Sequence, residues 1–382
     1  MMNLITLDFE TYYDGKIGLG FRTQTTEEYI NDPRFEVVGV GIQVQDGKPE
    51  WFSGTHAEIK QRLREINWEE AMLLCHNALF DGAILNWIFG ITPHFILDTL
   101  CMARAIHGVE VGGSLKALAE RYKLGAKGDE VIHAEGKRRE DFSAEELARY
   151  GEYCKNDVAL TYDLFYKLKP DFPTDEFHLI DMTLRMFTER EFMVDDALLV
   201  ERLEELRNEK QALLGSLKEK LNCADEEEVR QKLSSNKQFA QLLTDCGIEV
   251  PMKVSPTTGK DTFALAKNDV GFIALTEHED PFVQQLCAVR LGTKSTIEET
   301  RIERFIDIGA RNQGRLPIPL KYYAAHTGRW GGSDSVNLQN LPSRGAQGGK
   351  LKRCIVAPKG HVIIDCDSSQ IEARVLAWLA GE

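Results

Sequence analysis

No two of the eight cysteines in this 382-residue sequence stand in a CxxC spacing. The pattern indicates neither a zinc site nor a disulfide framework, and the thiols read as the reduced ones of a cytosolic protein. No apolar run approaches the roughly 18 residues of a membrane-spanning helix, and no basic segment followed by a long apolar stretch opens the chain. Neither a membrane span nor a secretory leader is expected. Positive charge is also short: 46 Lys and Arg against 60 Asp and Glu leave a net charge of −14. Any nucleic-acid surface must therefore be local. One stretch answers that description. Between residues 310 and 360 nine basic residues, among them Arg311, Arg329, Arg344 and Lys352, stand against Asp334 alone, a local charge of +8. What remains is the composition of a cytoplasmic globular chain, long enough for two or three domains with cores of their own.

The stretch with the most chemical content is Leu4-Ile5-Thr6-Leu7-Asp8-Phe9-Glu10-Thr11. Residues two apart on a strand share a face, so Asp8 and Glu10 stand side by side. Two such carboxylates repel by about 4 kcal/mol at about 4 Å in a surface-like dielectric. A hard divalent cation, Mg²⁺ or Mn²⁺, is the usual compensation. An edge strand with both acids in water is the plain alternative for so short a motif, and the rest of the chain decides between them.

Phe35 to Val44, the turn Asp46-Gly47 and Trp51-Phe52 read as a hairpin. Residues 57–66 read as a helix, Met72 to Asn77 as a buried strand entering a helix at Ala78–Asp81, and His94 to Leu97 as a further strand. Helices follow at Leu115–Tyr122 and from Ala144 through Val158. This alternation predicts a mixed sheet with helices on its faces. Tyr153 and Asp157, four apart, share one helix face, and four acids stand out in chain order: Asp8, Glu10, Asp81 and Asp157.

At these residues the sequence resembles the DEDD 3′→5′ exonucleases in their tyrosine, proofreading form. Asp8-Phe9-Glu10, Asn77-Ala78-Leu79-Phe80-Asp81 and Tyr153-x-x-x-Asp157 match that family's three motifs in order and rough spacing. The resemblance implies a ribonuclease H-like fold and two divalent cations, Mg²⁺ or Mn²⁺, held by Asp8, Glu10, Asp81 and Asp157. It further implies that Tyr153 orients or helps deprotonate the attacking water and that Asn77 and Phe80 touch the terminal nucleotide. Asp98 is either a carboxylate supporting this site or a strand-end cap.

Pro170 and Pro173 mark a boundary. Beyond it Leu199, Leu203, Leu206, Leu213 and Leu217 recur at helical spacing, predicting a long amphipathic helix. Helix is also expected over 224–246, a loop over 251–260, and helix again from Pro281 to Arg304, with Arg290 and Lys294 on one face. The position of this region and its Ser235-Asn236-Lys237-Gln238-Phe239 segment resemble the thumb of family A DNA polymerases.

The tail resembles the same family more closely. His326-Thr327-Gly328-Arg329-Trp330 and Asn337-Leu338-Gln339-Asn340-Leu341-Pro342-Ser343-Arg344 are similar to its T-G-R and N-L-Q-N-x-P-x-R segment. By that resemblance Arg329 and Arg344 grip primer–template phosphates, while Asn337, Gln339 and Asn340 reach base and sugar edges. Gly331, Gly332 and Val336 depart from the family's Ser-Ser and Pro, and the glycines permit close backbone approach to phosphate. The expected strand His361–Asp367, followed by a helix capped by Ser368 or Ser369, resembles motif A. Asp367 would be the palm's metal aspartate, taking Mg²⁺ only in a completed palm, and Glu372 would exclude a ribose 2′-hydroxyl. Ser368 replaces the family's aromatic residue.

The expected fold class is thus an α/β ribonuclease H-like exonuclease domain over 1–172, a mostly α thumb-like domain over 173–310, and the start of an α+β palm over 311–382. The sequence stops before the family's fingers helix and second palm carboxylate, and no 5′ nuclease precedes the exonuclease, as in phage replicative enzymes. The expectation is a 3′→5′ exonuclease acting on single-stranded 3′ ends, joined to a primer–template-binding segment. It would not polymerise alone, and would take dNTP only with a C-terminal polymerase half as partner. The alternatives are a stand-alone nuclease acting on RNA or single-stranded DNA, and a catalytically silent primer–template-binding fragment.

Overall fold

The computed structural model describes residues 2–108, 111–128, 134–255, 257–294, 297–341 and 349–382. Two compact units emerge: residues 1–195 together with 308–382, and residues 196–307.

The first unit is built on a five-stranded mixed sheet. Its strands are β1 (Asn3–Thr11), β2 (Val37–Val44), β3 (Glu50–Phe52), β4 (Ala71–Cys75) and β5 (Phe95–Asp98), in the order β3-β2-β1-β4-β5. The β1–β2 and β2–β3 pairs are antiparallel, and the β1–β4 and β4–β5 pairs are parallel. Central β1 is buried on both faces, which is why it reads as a nearly continuous apolar run. Ile5, Leu7 and Phe9 point to one side, and Leu4, Thr6, Asp8 and Glu10 to the other.

Helices α1 (Thr26–Ile30), α2 (His56–Leu63), α3 (Ala78–Trp87), α4 (Thr99–His107), α5 (Leu115–Tyr122), α6 (Ala144–Leu168) and α7 (Glu176–Thr188) pack around this sheet. Ser143 and Glu146 form a capping box that starts α6. The register explains how α6 closes on the sheet. Asp8 pairs across β1–β2 with Gly41, and Glu10 with Gly39. Neither partner carries a side chain: at Gly41 this lets α6 lie directly on the strand, while at Gly39 the Trp51 ring fills the space. A Cβ at Gly41 would meet Cys154 Sγ at 2.8 Å and Val158 Cγ2 at 2.9 Å.

Asp98 ends β5 as a cap. It accepts from the backbone N–H groups of Leu100 and Cys101, which open α4, and from those of Asn77 and Ala78 across the sheet. Asp98 is thus a cap, and it also lines the cavity beside Asp8 and Asp157.

Residues 308–382 attach to this unit through polar anchors. Asp334 accepts from the Thr26 and Glu27 N–H groups at 2.6 and 3.0 Å. Glu27, almost fully buried, pairs with Arg311 at 2.7 Å and accepts from Asn312. Strand β6 (Phe192–Val194) lies between two-residue strands at Arg315–Leu316 and Ile355–Val356. The strand expected over His361–Asp367 is not formed. A strand exists through its ladder partner, and among the described residues none pairs with this segment, whose Val362 and Ile364 are exposed. A helix over Ile371–Ala380 follows, but Gln370 in a left-handed conformation precedes it, and neither Ser368 nor Ser369 caps it.

The second unit is largely helical. It contains α8 (Asp196–Lys218), α9 (Glu226–Ser234), α10 (Asn236–Asp245), α11 (Val270–Thr276) and α12 (Pro281–Lys294) around Leu217, Val229, Leu233, Phe239, Phe272 and Leu286. The loop expected over 251–260 is flanked by a short antiparallel pair, Met252–Val254 with Asp261–Phe263. Arg290 is buried, with its guanidinium over the Phe239 ring and bonded to the Leu233 carbonyl. Helical periodicity alone reads such a cation as a surface charge. Among the described residues, no helix is long and apolar enough to cross a membrane.

Candidate active site

Three elements bring the predicted acids together. Asp8 and Glu10 rise from one face of β1. Asp81 sits in the first turn of α3, where Oδ1 accepts the Phe9 N–H at 3.0 Å and ties that helix to the strand. Tyr153 and Asp157 come one turn apart from the face of α6 that the gap at Gly41 admits. Glu10, Asp81, Tyr153 and Asp157 are buried, and Asp8 is half-buried.

Electrostatics records their proximity. Burial and then the charge of Asp157 push the Asp8 carboxyl up to about 7, while Lys127 and the Cys154 thiol oppose the rise. Glu10 is raised by burial and by Asp8, and Asp81 likewise. The phenol of Tyr153 is also pushed upward, by burial and then by Asp157.

Three neighbours were not legible in the motifs. The Tyr150 hydroxyl donates to Glu10 at 2.6 Å, and its ring stacks on Phe142 and Tyr153. The Cys154 Sγ lies 3.6 Å from Asp8 Oδ2. Lys127 places its ammonium 2.5 Å from Asp157 Oδ2. Only the helix period offered a hint for Tyr150 and Cys154, since both share the α6 surface with Tyr153 and Asp157. Nothing local marks Lys127.

The donor set suits a hard divalent cation. Carboxylate oxygens dominate, and each raises its neighbours' affinity for positive charge. The ligand atoms of Asp8, Glu10 and Cys154 lie within 4.8 Å of one another. Burial and the surrounding carboxylates raise the Cys154 thiol, as burial raises Asp8, Glu10 and Asp81.

A cavity of about 820 Å³ opens beside this cluster, lined by Asp8, Asn77, Arg104, Lys127, Asp157 and Lys321, among others. Asn77 is exposed in a left-handed conformation (φ 77°) at the start of α3, and its backbone N–H is held by Asp98. Phe80 is half-buried, edge-on to exposed Phe21 and stacked on Tyr29.

The polymerase-type residues do not converge in this way. Arg329 and Glu372 are exposed and pair with each other. Asn337 is half-buried, Gln339 and Asn340 are exposed on one 3-10 turn, and Gln339 donates to the Trp330 carbonyl. Close approach at Gly332 is to the protein itself, because a Cβ there would meet Asn337 Cγ at 2.6 Å. Asp367 is exposed. Arg344 lies outside the described residues.

With a chelator present, the melting temperature should fall as the pH rises from about 5 to about 8. In that window folded Asp8 keeps a proton that the unfolded chain has lost, so the unfolded state binds fewer protons and stability declines. Glu10 and Asp81, both raised, act in the same sense. Glu146, lowered to about 2 by Lys137, acts oppositely but at lower pH. His56, His76 and His107, each lowered by burial, act oppositely within the window, so the share of the cluster is read as the difference between wild type and Asp8→Asn. Asp8→Asn should remove part of the fall, and a variant whose melt depends on pH as the wild type's does would contradict the carboxylate cluster.

Comparison with known proteins divides the chain along its sequence. Residues 26–173 match the family model for a 3′-5′ exonuclease, and residues 200–382 match that for DNA polymerase family A. The thermostable DNA polymerase I of Thermus aquaticus is 34% identical over 151 residues, 39% of this chain and 17% of that protein. DNA polymerase I of Pseudomonas aeruginosa is 31% identical over 150 residues, 39% and 16% respectively. These matches span less than a fifth of either relative. Among solved structures, the POL domain of Pol1 from M. smegmatis, in complex with DNA primer-template and dNTP, aligns with a TM-score of 0.65 at 19% identity. The alignment covers 100% of this chain and 60% of that one. An exonuclease domain of this type implies dependence on a divalent cation, in keeping with the acidic cluster. The chain thus carries a 3′-5′ exonuclease domain at residues 26–173 ahead of a family A DNA polymerase segment at residues 200–382.

Proposed function

We propose that the chain removes nucleotides from DNA 3′ ends at the carboxylate cluster and holds primer–template with residues of its polymerase segment. The convergence of Asp8, Glu10, Asp81, Asp157 and Tyr153 beside one cavity carries this reading. Asp8, Glu10, Asp81 and Asp157 would hold two Mg²⁺ or Mn²⁺ ions. Such ions supply positive charge at the attacking and leaving oxygens of the phosphodiester.

The protein's own contributions are positional. Tyr153, with a raised phenol pKa, stays protonated at neutral pH. It therefore serves by orienting the attacking water rather than by accepting its proton. Asn77 and the Phe80–Phe21 aromatic edge receive the last nucleotide, since aromatic faces suit base and sugar stacking. The division by role is 1–172 for a ribonuclease H-like exonuclease, 173–310 for a thumb-like region, and 311–382 for the start of a palm. In the palm Asp367 would be a metal ligand, and Glu372 would test the sugar of a dNTP once a C-terminal polymerase partner segment completes the site. The cytoplasm of a cell, or of a phage's host, is the setting that suits such an enzyme.

The direct test is digestion of 5′-labelled DNA and RNA oligonucleotides with Mg²⁺, Mn²⁺ or EDTA. Stepwise shortening of single-stranded DNA from the 3′ end, with a metal present, is expected. Equal or faster digestion of RNA would favour the RNA-nuclease alternative, and no digestion with any metal would favour the silent binding fragment. Tyr153→Phe should cost less than loss of a carboxylate, because it leaves every ligand in place.

Primer–template binding should weaken steeply with salt. Arg329→Ala should lower the slope of log K against log salt by about 0.9 and weaken all sequences alike. The exposed pair with Glu372 contributes little by itself, so it does not bar Arg329 from a phosphate. An unchanged slope in a salt titration of this variant would move the DNA path elsewhere.

A further inference from the structure

We infer that Lys127 is a positioning residue of the exonuclease site, one ammonium on the α5–α6 connection that fixes Asp157 and Tyr153 in a single arrangement. The inference rests on the exonuclease reading above. Its basis is geometric. Lys127 Nζ lies 2.5 Å from Asp157 Oδ2 and 5.4 Å from the centroid of the Tyr153 ring. Asp157 and Tyr153 lie one turn apart on the same face of α6, so the ammonium bridges two side chains of that helix from a separate segment. The side chains of Lys127 and Asp157 are 26% and 6% exposed, unlike the solvated pairs that contribute little.

The lysine is delivered by a docked segment rather than a free arm. Asn156, the neighbour of Asp157 on α6, donates its side-chain amide to the Ala126 carbonyl at 3.1 Å. At Gly125 the segment runs against Leu160, one turn further along the same helix. The backbone just ahead of Lys127 is therefore held to α6, and the ammonium reaches Asp157 from a fixed base. The same charge opposes protonation of Asp8 and Glu10, and Lys127 lines the cavity with Asp8, Asn77 and Asp157.

Two physical effects give the contact a role. A charge-assisted hydrogen bond fixes which way the Asp157 carboxylate faces, and a cation against the ring face restrains the tilt of the Tyr153 phenol. Both groups act through their orientation toward the reacting phosphodiester, where a misplacement of about 1 Å costs about a hundredfold in rate. Lys127 acts through these two residues and does not itself exchange a proton with substrate.

The test uses the full chain with Mn²⁺ and a single-stranded DNA oligonucleotide. K127M, K127Q and K127R are compared with wild type for kcat, KM, thermal melting and Mn²⁺ binding by calorimetry. K127M and K127Q are expected to lower kcat about a hundredfold, with KM within about threefold of wild type. K127R should recover the rate to within about tenfold, because a guanidinium keeps both the charge and the ring contact. Mn²⁺ binding should persist in all three, since every carboxylate remains.

A wild-type kcat in K127M and K127Q overturns the inference while the exonuclease reading stands. A rise confined to KM overturns it in favour of a direct phosphate contact. A fall in kcat that tracks a fall in the melt, and that K127R does not rescue, reduces Lys127 to a fold support and overturns it as well. Absence of degradation by the wild type overturns the exonuclease reading and this inference with it.

Discussion

Asp8→Ala is expected to lower the rate of 3′-end degradation by about a thousandfold, equivalent to about 4 kcal/mol of transition-state stabilisation. Asp8 is the carboxylate common to the cluster: its charge raises Glu10 and Asp81, and Asp157 raises Asp8 in turn. Its removal takes away the ligand with the most neighbours and part of the field that recruits a cation. Asp157→Ala should have an effect of the same order, and it also strands the Lys127 ammonium without its carboxylate.

Stability should move the other way. Removing one of several buried, mutually repelling carboxylates relieves the chelated fold, so Asp8→Ala should melt no lower than wild type with EDTA present. Added Mn²⁺ should then raise the wild-type melt more than that of the variant, because ligand binding to the folded state adds RT ln(1 + [L]/Kd). Mononucleotide release in single turnover reads the first effect, and paired melts read the second. Digestion by Asp8→Ala at the wild-type rate would show that the cluster is not the site.

Gly41→Val should combine a loss of stability with a disproportionate loss of rate. Gly41 lies opposite Asp8 on β2, and the space it leaves is filled by α6 through Cys154 and Val158. A branched side chain there cannot enter without lifting the helix. Overpacking of this kind costs about 1–3 kcal/mol. The rate should fall by about a hundredfold, since a shift of about 1 Å carries Tyr153 and Asp157 away from Asp8 and Glu10. Ile59→Ala is the control. Ile59 is fully buried on α2, and its truncation should cost about 2–5 kcal/mol. Its rate should stay near wild type below the melting transition. Urea denaturation with kcat measured on the same samples separates the two. If Gly41→Val loses no more rate than Ile59→Ala does, the glycine gap is not what positions α6.

The residues of the cluster were legible where their relation is periodic. Two-residue alternation puts Asp8 beside Glu10, and the helix period puts Tyr153 above Asp157, whatever the rest of the chain does. The mixed sheet was likewise readable from the order of apolar runs and turn dipeptides, because each strand carries its own pattern. Asp98 lay at the limit: its place at a strand end was visible, but its role as a cap depended on four backbone N–H groups drawn from two segments.

What only the tertiary structure decided depends on partners far away in the chain. The expected strand over 361–367 needs a neighbour to exist, and its apolar alternation alone did not produce one. Arg290, polar by type, is buried because the Leu233 carbonyl and the Phe239 ring wait for it on two other helices. Asp334, the one acid in a basic stretch, serves as the cap of a helix some three hundred residues earlier. Glycine at 41 reads locally as a weakness in a strand, yet it is the absence of a side chain there that lets α6 reach the sheet beside Asp8. Lys127 belongs to no motif, and only the docking of its segment on α6 brings it to Asp157. Backbone periodicity is a property of neighbouring residues and survives in the sequence. Charge pairing and close approach are properties of space, and they come into being only when the chain closes on itself.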